Sequence, residues 1–329
     1  MKKLFAAFAA AVALTFAAAP AQAQTKMRIS HQVPTAHHLH KAMEYFKAEL
    51  ETATGGAIQV ELFPAEQLAK AAENHPQVAR GAIEAALVVN LQWGNTIPEM
   101  NVTAIPYMFT DLAKIKRFPG SPAAKLLEDK LAAKGVKNLG WYYITRESIF
   151  TSGKKPLVTI ADFKGVKIRG LNAIADAGLK AVGAAPTPIP GNEVYNALQT
   201  GLIDAGLTDI SAAVSRKYYE VQKFGTTGPY FSVFFHLFVN PAWFAKLTPD
   251  QQKAMQNIAH KTEAFITDLT EATAAKAAGE LTAKGMTIHK QTAAEQKAWT
   301  AAMQKPVIDA FIKASGPDGQ KLIELFQKL

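Results

Sequence analysis

The sequence has 329 residues, of which 49% are hydrophobic, with a formal net charge of +9 and no cysteine. This length suffices for two domains with separate cores, and the absence of cysteine excludes disulfides and a thiol-linked lipid anchor. Lysines and arginines are dispersed and form no basic block, so we expect no nucleic-acid partner and only a weak attraction for anionic ligands.

Residues 1–23 have the pattern of a secretory signal peptide. Two lysines near the start precede an apolar stretch at 4–19, and the Ala-Gln-Ala at 21–23 fits a small-x-small cleavage site. The apolar stretch is shorter than the roughly twenty residues that a membrane anchor needs, and no later stretch could span a bilayer. We therefore expect cleavage near Ala23 and a periplasmic product without stable membrane insertion. Its formal charge would be +7, because the removed segment holds two lysines and no acid.

The first half of the mature chain alternates predicted strands and helices. Strands are predicted at 26–30, 58–63 and 84–90, with helices between them at 35–52, capped by Thr35, and at 68–80. This βαβαβ order is typical of a sheet covered by helices on both faces. A helix at 126–135 and a strand at 137–143 follow, and the strand leads to Arg146, where the chain is expected to leave the first domain.

Polar and aromatic side chains follow the third of these strands. Asn90, Gln92 and Trp93 are expected to face the crevice that open α/β sheets form beyond the carboxyl ends of their strands. For Trp93, a position in the core is an equally good interpretation.

Histidines cluster after the first predicted strand. His37 and His38 lie in a loop at the rim of the crevice and are candidates for lining it. With His31 and His40 they also suggest a metal site, but no carboxylate stands at a fitting spacing, so no metal is predicted.

The stretch 162–209 contains the strongest candidate for a binding residue. A turn at 162–165 precedes a short strand at 166–169, which Gly170 ends. Arg169 therefore lies at the carboxyl end of a strand, where its guanidinium can pair with a ligand carboxylate or phosphate. An ion pair with a nearby aspartate is the alternative. Asn172 is placed as the cap of a helix that runs to residue 182.

The rest of this stretch is predicted to form a connector, a helix and a strand. Alternate prolines hold 186–190 extended, a helix covers 192–199, and the apolar run 202–207 ends at Thr208 and Asp209.

The last third begins with an aromatic strand at 230–239, which starts with Tyr230 and Phe231. A capping box at 248–251 then starts a helix that runs to about residue 284. Thirty-odd residues give a helix of roughly 50 Å, longer than one small domain is wide, so we expect it to span both domains. A strand at 286–289, a helix capped by Thr292 and an amphipathic end at 308–329 complete the chain.

The sequence shows no catalytic motif. There is no G-x-S-x-G elbow, no H-E-x-x-H and no cysteine nucleophile, and the lysine pair at 154–155 lacks the spacing of a phosphate loop. A hydrolase or lyase whose serine, histidine and aspartate converge only in space stays an alternative. We expect a binding protein that needs no cofactor.

Three motifs in the middle stretch resemble one known family. D-F-K-G-x-K-x-R at 162–169, G-A-x-P-x-P at 183–188 and E-x-Y-x-A-L-Q-x-G-x-x-D at 193–204 are similar to the substrate-binding proteins of tripartite ATP-independent periplasmic (TRAP) transporters, the DctP-like group named for dicarboxylate uptake. Segments at 54–56, 63–68 and 105–109 extend the resemblance over essentially the whole mature chain.

The resemblance implies a two-lobed α/β fold of the periplasmic binding protein type. Mixed sheets flanked by helices would form lobe I from 24–146 plus about 232–270, and lobe II from 147–231 plus about 271–329. The lobes would close like a hinge on a small organic acid, and TRAP membrane permease subunits, driven by a sodium gradient, would receive it. We expect the binding protein itself to be a monomer.

The resemblance also implies roles for single residues. Arg169 would pair with the ligand carboxylate and Asn172 would contact the ligand, whereas Arg146 only approximates a second family arginine because its distance to Ser152 in the sequence differs.

At 207–209 the chain departs from the family pattern of Glu-Asn. Thr208 occupies the place of the asparagine, and Asp209 would repel a second carboxylate or accept hydrogen bonds from a ligand hydroxyl or amine. With Trp93, Tyr230 and Phe231 expected nearby, a C4-dicarboxylate and a monocarboxylate with an apolar or aromatic body both stay open. The alternative for the whole chain is a solute-binding protein of another uptake or sensing system.

Overall fold

Two mixed β-sheets form the framework of the protein in the computed structural model, which describes residues 24–329. The predicted signal peptide and its cleavage site lie outside the described residues. The strands are β1 (Thr25–His31), β2 (Ile58–Phe63), β3 (Ala85–Val89), β4 (Lys137–Thr145), β5 (Ser148–Ser152), β6 (Lys167–Gly170), β7 (Ala185–Pro188), β8 (Ala205–Asp209), β9 (Phe224–Gly228), β10 (Val233–Val239) and β11 (Thr287–Lys290).

Helices flank both sheets, and short 3₁₀ turns join several of them. The helices are α1 (His38–Ala53), α2 (Asn74–Ala79), α3 (Leu112–Arg117), α4 (Pro122–Ala132), α5 (Ala177–Ala181), α6 (Val194–Gln199), α7 (Ile210–Ser215), α8 (Pro241–Ala245), α9 (Pro249–Ala283), α10 (Ala293–Ser315) and α11 (Pro317–Lys328). Among the described residues, no helix is long and apolar enough to cross a membrane.

The sheets define two lobes. The first sheet has the order β2-β1-β3-β10-β4, and the second has the order β11-β9-β5-β8-β6-β7. In the first sheet β10 is antiparallel to both β3 and β4, although it follows most of the second lobe in the chain. This two-lobed α/β architecture with mixed sheets confirms the predicted fold class.

Helix α9 spans both lobes, as predicted. Its capping box is present, because the Thr248 hydroxyl accepts a hydrogen bond from the Gln251 N–H while the Gln251 side chain accepts one from the Thr248 N–H. Early in the helix, Met255 and Ile258 are buried in the core of the first lobe. Near its end, Ala277 and Leu281 are buried in a core of the second lobe.

The C-terminal helix α11 packs against the first lobe. Its Leu322 and Phe326 share a core with Phe118 and Trp141 of that lobe, whereas the predicted second lobe includes about 271–329. We propose a boundary that moves α11 to the first lobe, because its apolar face is buried there.

Several predicted elements differ in the structure. Helix α1 begins at His38 rather than 35, and its cap is His37, whose Nδ1 accepts from the Leu39 N–H at 3.1 Å. The helix predicted at 68–80 is confined to α2 and a preceding 3₁₀ turn, because Pro76 fits only the first turn of a helix. The helix predicted at 172–182 is reduced to α5. The predicted connector at 186–190 begins as strand β7, where prolines are tolerated because it is an edge strand.

Candidate functional site

A cavity of about 380 Å³ lies between the two lobes. This volume is within the range of small-molecule sites, roughly 300–1,000 Å³. We call it the interlobe cavity. Its polar lining residues are Gln32, Gln92 and Asn95 of the first lobe and Arg169, Asn172, Thr208, Asp209 and Arg216 of the second.

Arg169 stands at the carboxyl end of β6, as predicted, and only 9% of its surface is exposed. Its Nε donates to the Ile189 carbonyl at 3.0 Å and its Nη1 donates to the Leu207 carbonyl at 2.7 Å. No carboxylate of the described residues lies within ion-pair distance. These two carbonyls fix the plane of the guanidinium, and Nη2 has no hydrogen-bond partner among the described residues. Burial lowers the pKa of Arg169, but an arginine stays charged in proteins.

Thr208 and Asp209 enter the cavity at the end of β8, beside β6. The Asp209 carboxylate caps α7, since its Oδ1 accepts from the Ala212 N–H at 2.7 Å. Burial raises the pKa of Asp209, although the nearby Arg216 guanidinium acts in the opposite direction. The Ser211 N–H also lies within hydrogen-bond reach of this carboxylate, and no described side chain donates a hydrogen bond to its second oxygen.

Arg216 is a lining residue that the sequence reasoning missed. It directly follows α7, and its Nη1 lies 3.5 Å from the Thr208 hydroxyl. Its guanidinium lies directly against Gly191, where a Cβ atom would lie 2.7 Å from both terminal nitrogens. Arg216 is seven residues after Asp209, about two helical turns, and this spacing is the signal that could have placed both side chains on one face.

The wall from the first lobe and the connecting segment is mostly apolar. It is formed by Val89, Leu91, Phe231, Val233 and Phe235. The cavity is therefore asymmetric, with charged groups on the second lobe facing apolar groups on the first.

Asn172 lines the cavity but uses its carboxamide within the protein. Its Oδ1 accepts from the N–H groups of Ile174 and Ala175, both at 3.1 Å. Asn172 therefore stabilises a turn and does not cap the predicted helix, because the helix begins only at Ala177. Its Nδ2 donates to Asn101 Oδ1 at 2.7 Å and to the Leu91 carbonyl at 3.2 Å. Asn172 thus joins the two lobes at the edge of the cavity.

Comparison with protein families agrees with this geometry. The model of the DctP family, described as bacterial extracellular solute-binding protein, family 7, matches residues 29–314. The chain belongs to this family.

Individual relatives cover most of this solute-binding protein. A solute-binding protein of Albidiferax ferrireducens is 31% identical over 264 residues, 78% of this chain and 77% of that protein. The C4-dicarboxylate-binding periplasmic protein DctP of Rhodobacter capsulatus is 27% identical over 322 residues, 96% of each chain. The crystal structure of a TRAP periplasmic solute-binding protein from Desulfovibrio salexigens with bound orotic acid has a TM-score of 0.88 and 25% identity, and the match covers 93% of this chain and 98% of that one.

The family assignment decides between binding and catalysis. The relatives are periplasmic transport receptors of the TRAP type and not enzymes. The resemblance found in the three sequence motifs is therefore confirmed, and the hydrolase or lyase alternative is set aside.

Arg146 does not line the cavity of this solute-binding protein. Its Nε and Nη2 donate to the Glu271 carboxylate of α9 at 3.2 and 2.9 Å, and the Tyr143 hydroxyl donates to the same carboxylate at 2.8 Å. The structure therefore places Arg146 in an ion pair where the chain passes between lobes, and its prediction as a cavity residue is wrong.

Asn90 and Trp93 also lie outside the lining, because the 3₁₀ turn after β3 directs them into the first lobe. The Asn90 carboxamide donates to the Met100 carbonyl and the Thr103 hydroxyl and accepts from the Phe234 N–H. Trp93 is buried in the core of that lobe. For Trp93 the core interpretation is the correct one, whereas Gln92 of the same turn does line the cavity.

Of the two predicted aromatic residues, only Phe231 lines the cavity. Tyr230 is buried behind it and packs edge-on against Tyr107, Phe150 and Trp299. The expectation that Tyr230 faces the ligand is wrong, since the chain buries alternate side chains on opposite sides of this segment.

His37 and His38 are buried beneath the cavity and do not line it. Their rings stack at 4.4 Å, and His38 Nε2 lies 3.0 Å from the Thr270 hydroxyl of α9. Burial lowers the pKa of His38 to about 4 and holds the pKa of His37 well below its usual range. Within residues 24–329 no group of three or more histidine or acidic side chains is arranged to hold a metal ion.

Proposed function

We propose that this protein captures the carboxylate group of a small organic acid in the interlobe cavity and delivers the acid to TRAP membrane permease subunits. Arg169 is proposed as the anchor of the carboxylate. The main support is that the buried Arg169 guanidinium has no hydrogen-bond partner for Nη2 and no carboxylate within ion-pair distance among the described residues.

A buried charge without a counterion is unfavourable, because burial removes its hydration. Two carbonyl oxygens compensate the Arg169 guanidinium only in part, since they carry no net charge, and the Asp209 and Asp176 carboxylates act on it from beyond ion-pair distance. A ligand carboxylate would supply a counter-charge in direct contact, and it would accept hydrogen bonds from a donor that is already oriented. The binding energy would therefore come from a group that the fold has positioned in advance.

The known ligands of two relatives agree with this proposal. The Rhodobacter capsulatus relative is named for C4-dicarboxylates, and the Desulfovibrio salexigens structure holds orotic acid. Both ligands carry a carboxylate, although their remaining groups differ. We further propose that the chain is exported with cleavage near Ala23 and that it acts as a periplasmic monomer.

A ligand screen tests the proposal. Mature protein would be unfolded in denaturant and refolded to remove any retained ligand, then screened by thermal shift against dicarboxylates, 2-oxo and hydroxy acids, sugar acids and aromatic acids. Each acid would be paired with its neutral amide. A ligand at a hundred times its dissociation constant adds about 2.7 kcal/mol to stability.

We expect at least one acid to stabilise the protein, with no effect from its amide or in the Arg169→Ala variant. An acid that stabilises wild type and Arg169→Ala equally would exclude Arg169 as the anchor. If no acid shifts the refolded protein, and mass spectrometry of the denatured native sample detects no organic acid, the proposed function is wrong.

A further inference from the structure

From the second-lobe wall of the cavity we infer that Arg216 is a second ligand-binding cation and that Asp209 restricts the ligand to a monocarboxylate carrying a hydrogen-bond donor. This inference rests on the proposed function, because it concerns the same cavity. It names the class of acid rather than the anchor.

Arg216 is available for a ligand. Its Nε is buried without a hydrogen-bond partner among the described residues, and no described carboxylate lies within 4.0 Å of its guanidinium. Its polar neighbours are the Thr208 hydroxyl at 3.5 Å, which is a weak contact, the Tyr218 hydroxyl, and the Asp209 carboxylate beyond ion-pair distance. A planar guanidinium beside a cavity, with unused N–H groups, is suited to a carboxylate.

Gly191 makes this position of Arg216 possible. A side chain at residue 191 would place its Cβ 2.7 Å from Nη1 and Nη2 of Arg216, well inside contact distance. Gly191 has an ordinary backbone conformation, so its missing side chain gives space rather than a special turn. The close approach holds the guanidinium at the cavity wall.

Asp209 supplies the opposite charge on the same wall. One carboxylate oxygen is fixed by the Ala212 N–H at 2.7 Å, so the orientation of the side chain is set by the start of α7. The other oxygen is an acceptor without a donor among the described side chains. A ligand hydroxyl or N–H group could donate a hydrogen bond to this oxygen, whereas a ligand carboxylate at the same place would be repelled by the like charge.

The charges of this wall favour a monoanion. Two guanidinium groups and one carboxylate give a formal charge of +1, which a monocarboxylate neutralises. A dicarboxylate would leave an excess negative charge beside the Asp209 carboxylate, and like charges in a partly enclosed cavity repel. The other wall is mostly apolar, and its polar side chains, Gln32, Gln92 and Asn95, are neutral. It offers no cation to a second carboxylate, so the body of the acid is expected to be uncharged there.

Three matched sets of acids test the inference. Each set has one body and three forms, namely the 2-hydroxy acid, the acid without the hydroxyl, and the malonate in which a second carboxylate replaces the hydroxyl. With a methyl, an isobutyl and a phenyl body, the hydroxy acids are lactate, 2-hydroxyisocaproate and mandelate. Dissociation constants would be measured by titration calorimetry on refolded wild type and variants.

We expect the hydroxy acid to be the tightest form in each set that binds, by about tenfold or more. Asp209→Asn keeps a good helix cap, and we expect it to reduce the preference for the hydroxy acid over the malonate by about tenfold. Arg216→Gln should weaken every acid by about tenfold or more. Arg117→Gln is the matched control, because Arg117 lies outside the cavity and donates to the Leu329 carbonyl at 2.6 Å.

Gly191→Ala tests whether Arg216 acts through its position. The added methyl should weaken binding in wild type but not in the Arg216→Gln background, because the displaced group is then absent. Equal losses in both backgrounds would mean that the methyl acts on the ligand directly.

The outcomes separate this inference from the proposed function. Binding that requires Arg169 but is unchanged by Arg216→Gln and Asp209→Asn would overturn the inference alone, as would malonates that bind most tightly to wild type. If none of these acids binds, the inference is wrong. The wider ligand screen described above would then test the proposed function separately.

Discussion

Replacing Arg169 should weaken ligand binding in two distinguishable steps. Arg169→Ala removes the guanidinium and with it every charge-assisted hydrogen bond to the ligand. Truncating one partner of a buried charge pair costs about 2 to 5 kcal/mol, which corresponds to roughly 30-fold to a few thousand-fold in affinity.

Arg169→Lys keeps the charge but not the geometry. In the structure Nε and Nη1 serve the Ile189 and Leu207 carbonyls, while Nη2 stays free for the ligand. A single ammonium nitrogen cannot occupy all three positions, so it must give up either a carbonyl or the ligand. A hydrogen bond to a charged group contributes about 1.5 to 3 kcal/mol, so we expect a loss of roughly 10-fold to 150-fold.

Titration calorimetry with the acid found in the screen would measure both losses, with Arg117→Gln as the control. If Arg169→Lys binds like wild type, the oriented fork has no role and only the positive charge matters. If Arg169→Ala stays within a few-fold of wild type, the carboxylate is bound elsewhere.

Three further predictions concern stability, each measured by urea unfolding. Phe326→Ala should lower the free energy of unfolding by about 3 to 5 kcal/mol, because the centre of its ring lies 4.6 and 5.2 Å from those of Phe109 and Phe118. Leu202→Ala, at an exposed site, is the control and should cost almost nothing. An equally small loss for Phe326→Ala would contradict this packing. Glu271→Gln should cost at most about 1 kcal/mol at pH 7, because the ion pair is partly exposed. Burial raises the pKa of Glu271, but hydrogen bonds from Arg146 and Tyr143 outweigh it and hold the pKa below its usual value. This contribution is therefore present above about pH 4.3 and lost as the pH falls through the lowered pKa. A stability difference that does not shrink as the pH is lowered below about 4.3 would argue against it. Burial lowers the pKa of His236 to about 3, so the unfolded state alone binds the proton between about pH 6.5 and 3, and stability should fall as the pH is lowered through that range. His236→Gln should flatten this slope by up to about 1.4 kcal/mol per pH unit, and an unchanged slope would show that His236 is protonated in the folded state.

Residues at strand ends were predictable because a strand has only two side-chain directions and a definite end. Arg169 lies at the end of β6, Thr208 and Asp209 lie at the end of β8, and Gln92 follows β3. The structure brings all four to the interlobe cavity. For these residues the local pattern and the general position of ligand sites in α/β folds were sufficient.

Residues whose direction depends on tertiary contacts were not predictable. Arg146 and Asn90 are polar residues close to strand ends, but both donate hydrogen bonds within the protein. Arg146 donates to Glu271, which is far away in the chain, and Asn90 donates to Thr103, across a turn. Arg216 reaches the cavity only because Gly191, 25 residues earlier, leaves room for it. The spacing of Asp209 and Arg216 indicates a shared face, but no local pattern records the space that Gly191 leaves or the distant partners of Arg146 and Asn90.

The extent of predicted helices failed for a related reason. Helical spacing continues through 172–182, but the Asp176 carboxylate accepts a hydrogen bond from the Leu171 N–H at 2.8 Å and stabilises a turn in place of the first helical residues. Such side chain-to-backbone bonds compete with the helix, and their outcome depends on the surrounding packing.

Helix α9 makes the two lobes interdependent in folding. It supplies Met255 and Ile258 to the core of one lobe and Ala277 and Leu281 to a core of the other, so neither lobe is complete without it. Unfolding of the whole helix would therefore expose apolar surface in both lobes. We therefore expect a single cooperative unfolding transition, and we expect that chimaeras which exchange one lobe with a relative will fold only when the whole helix and both of its contact surfaces come from the same parent.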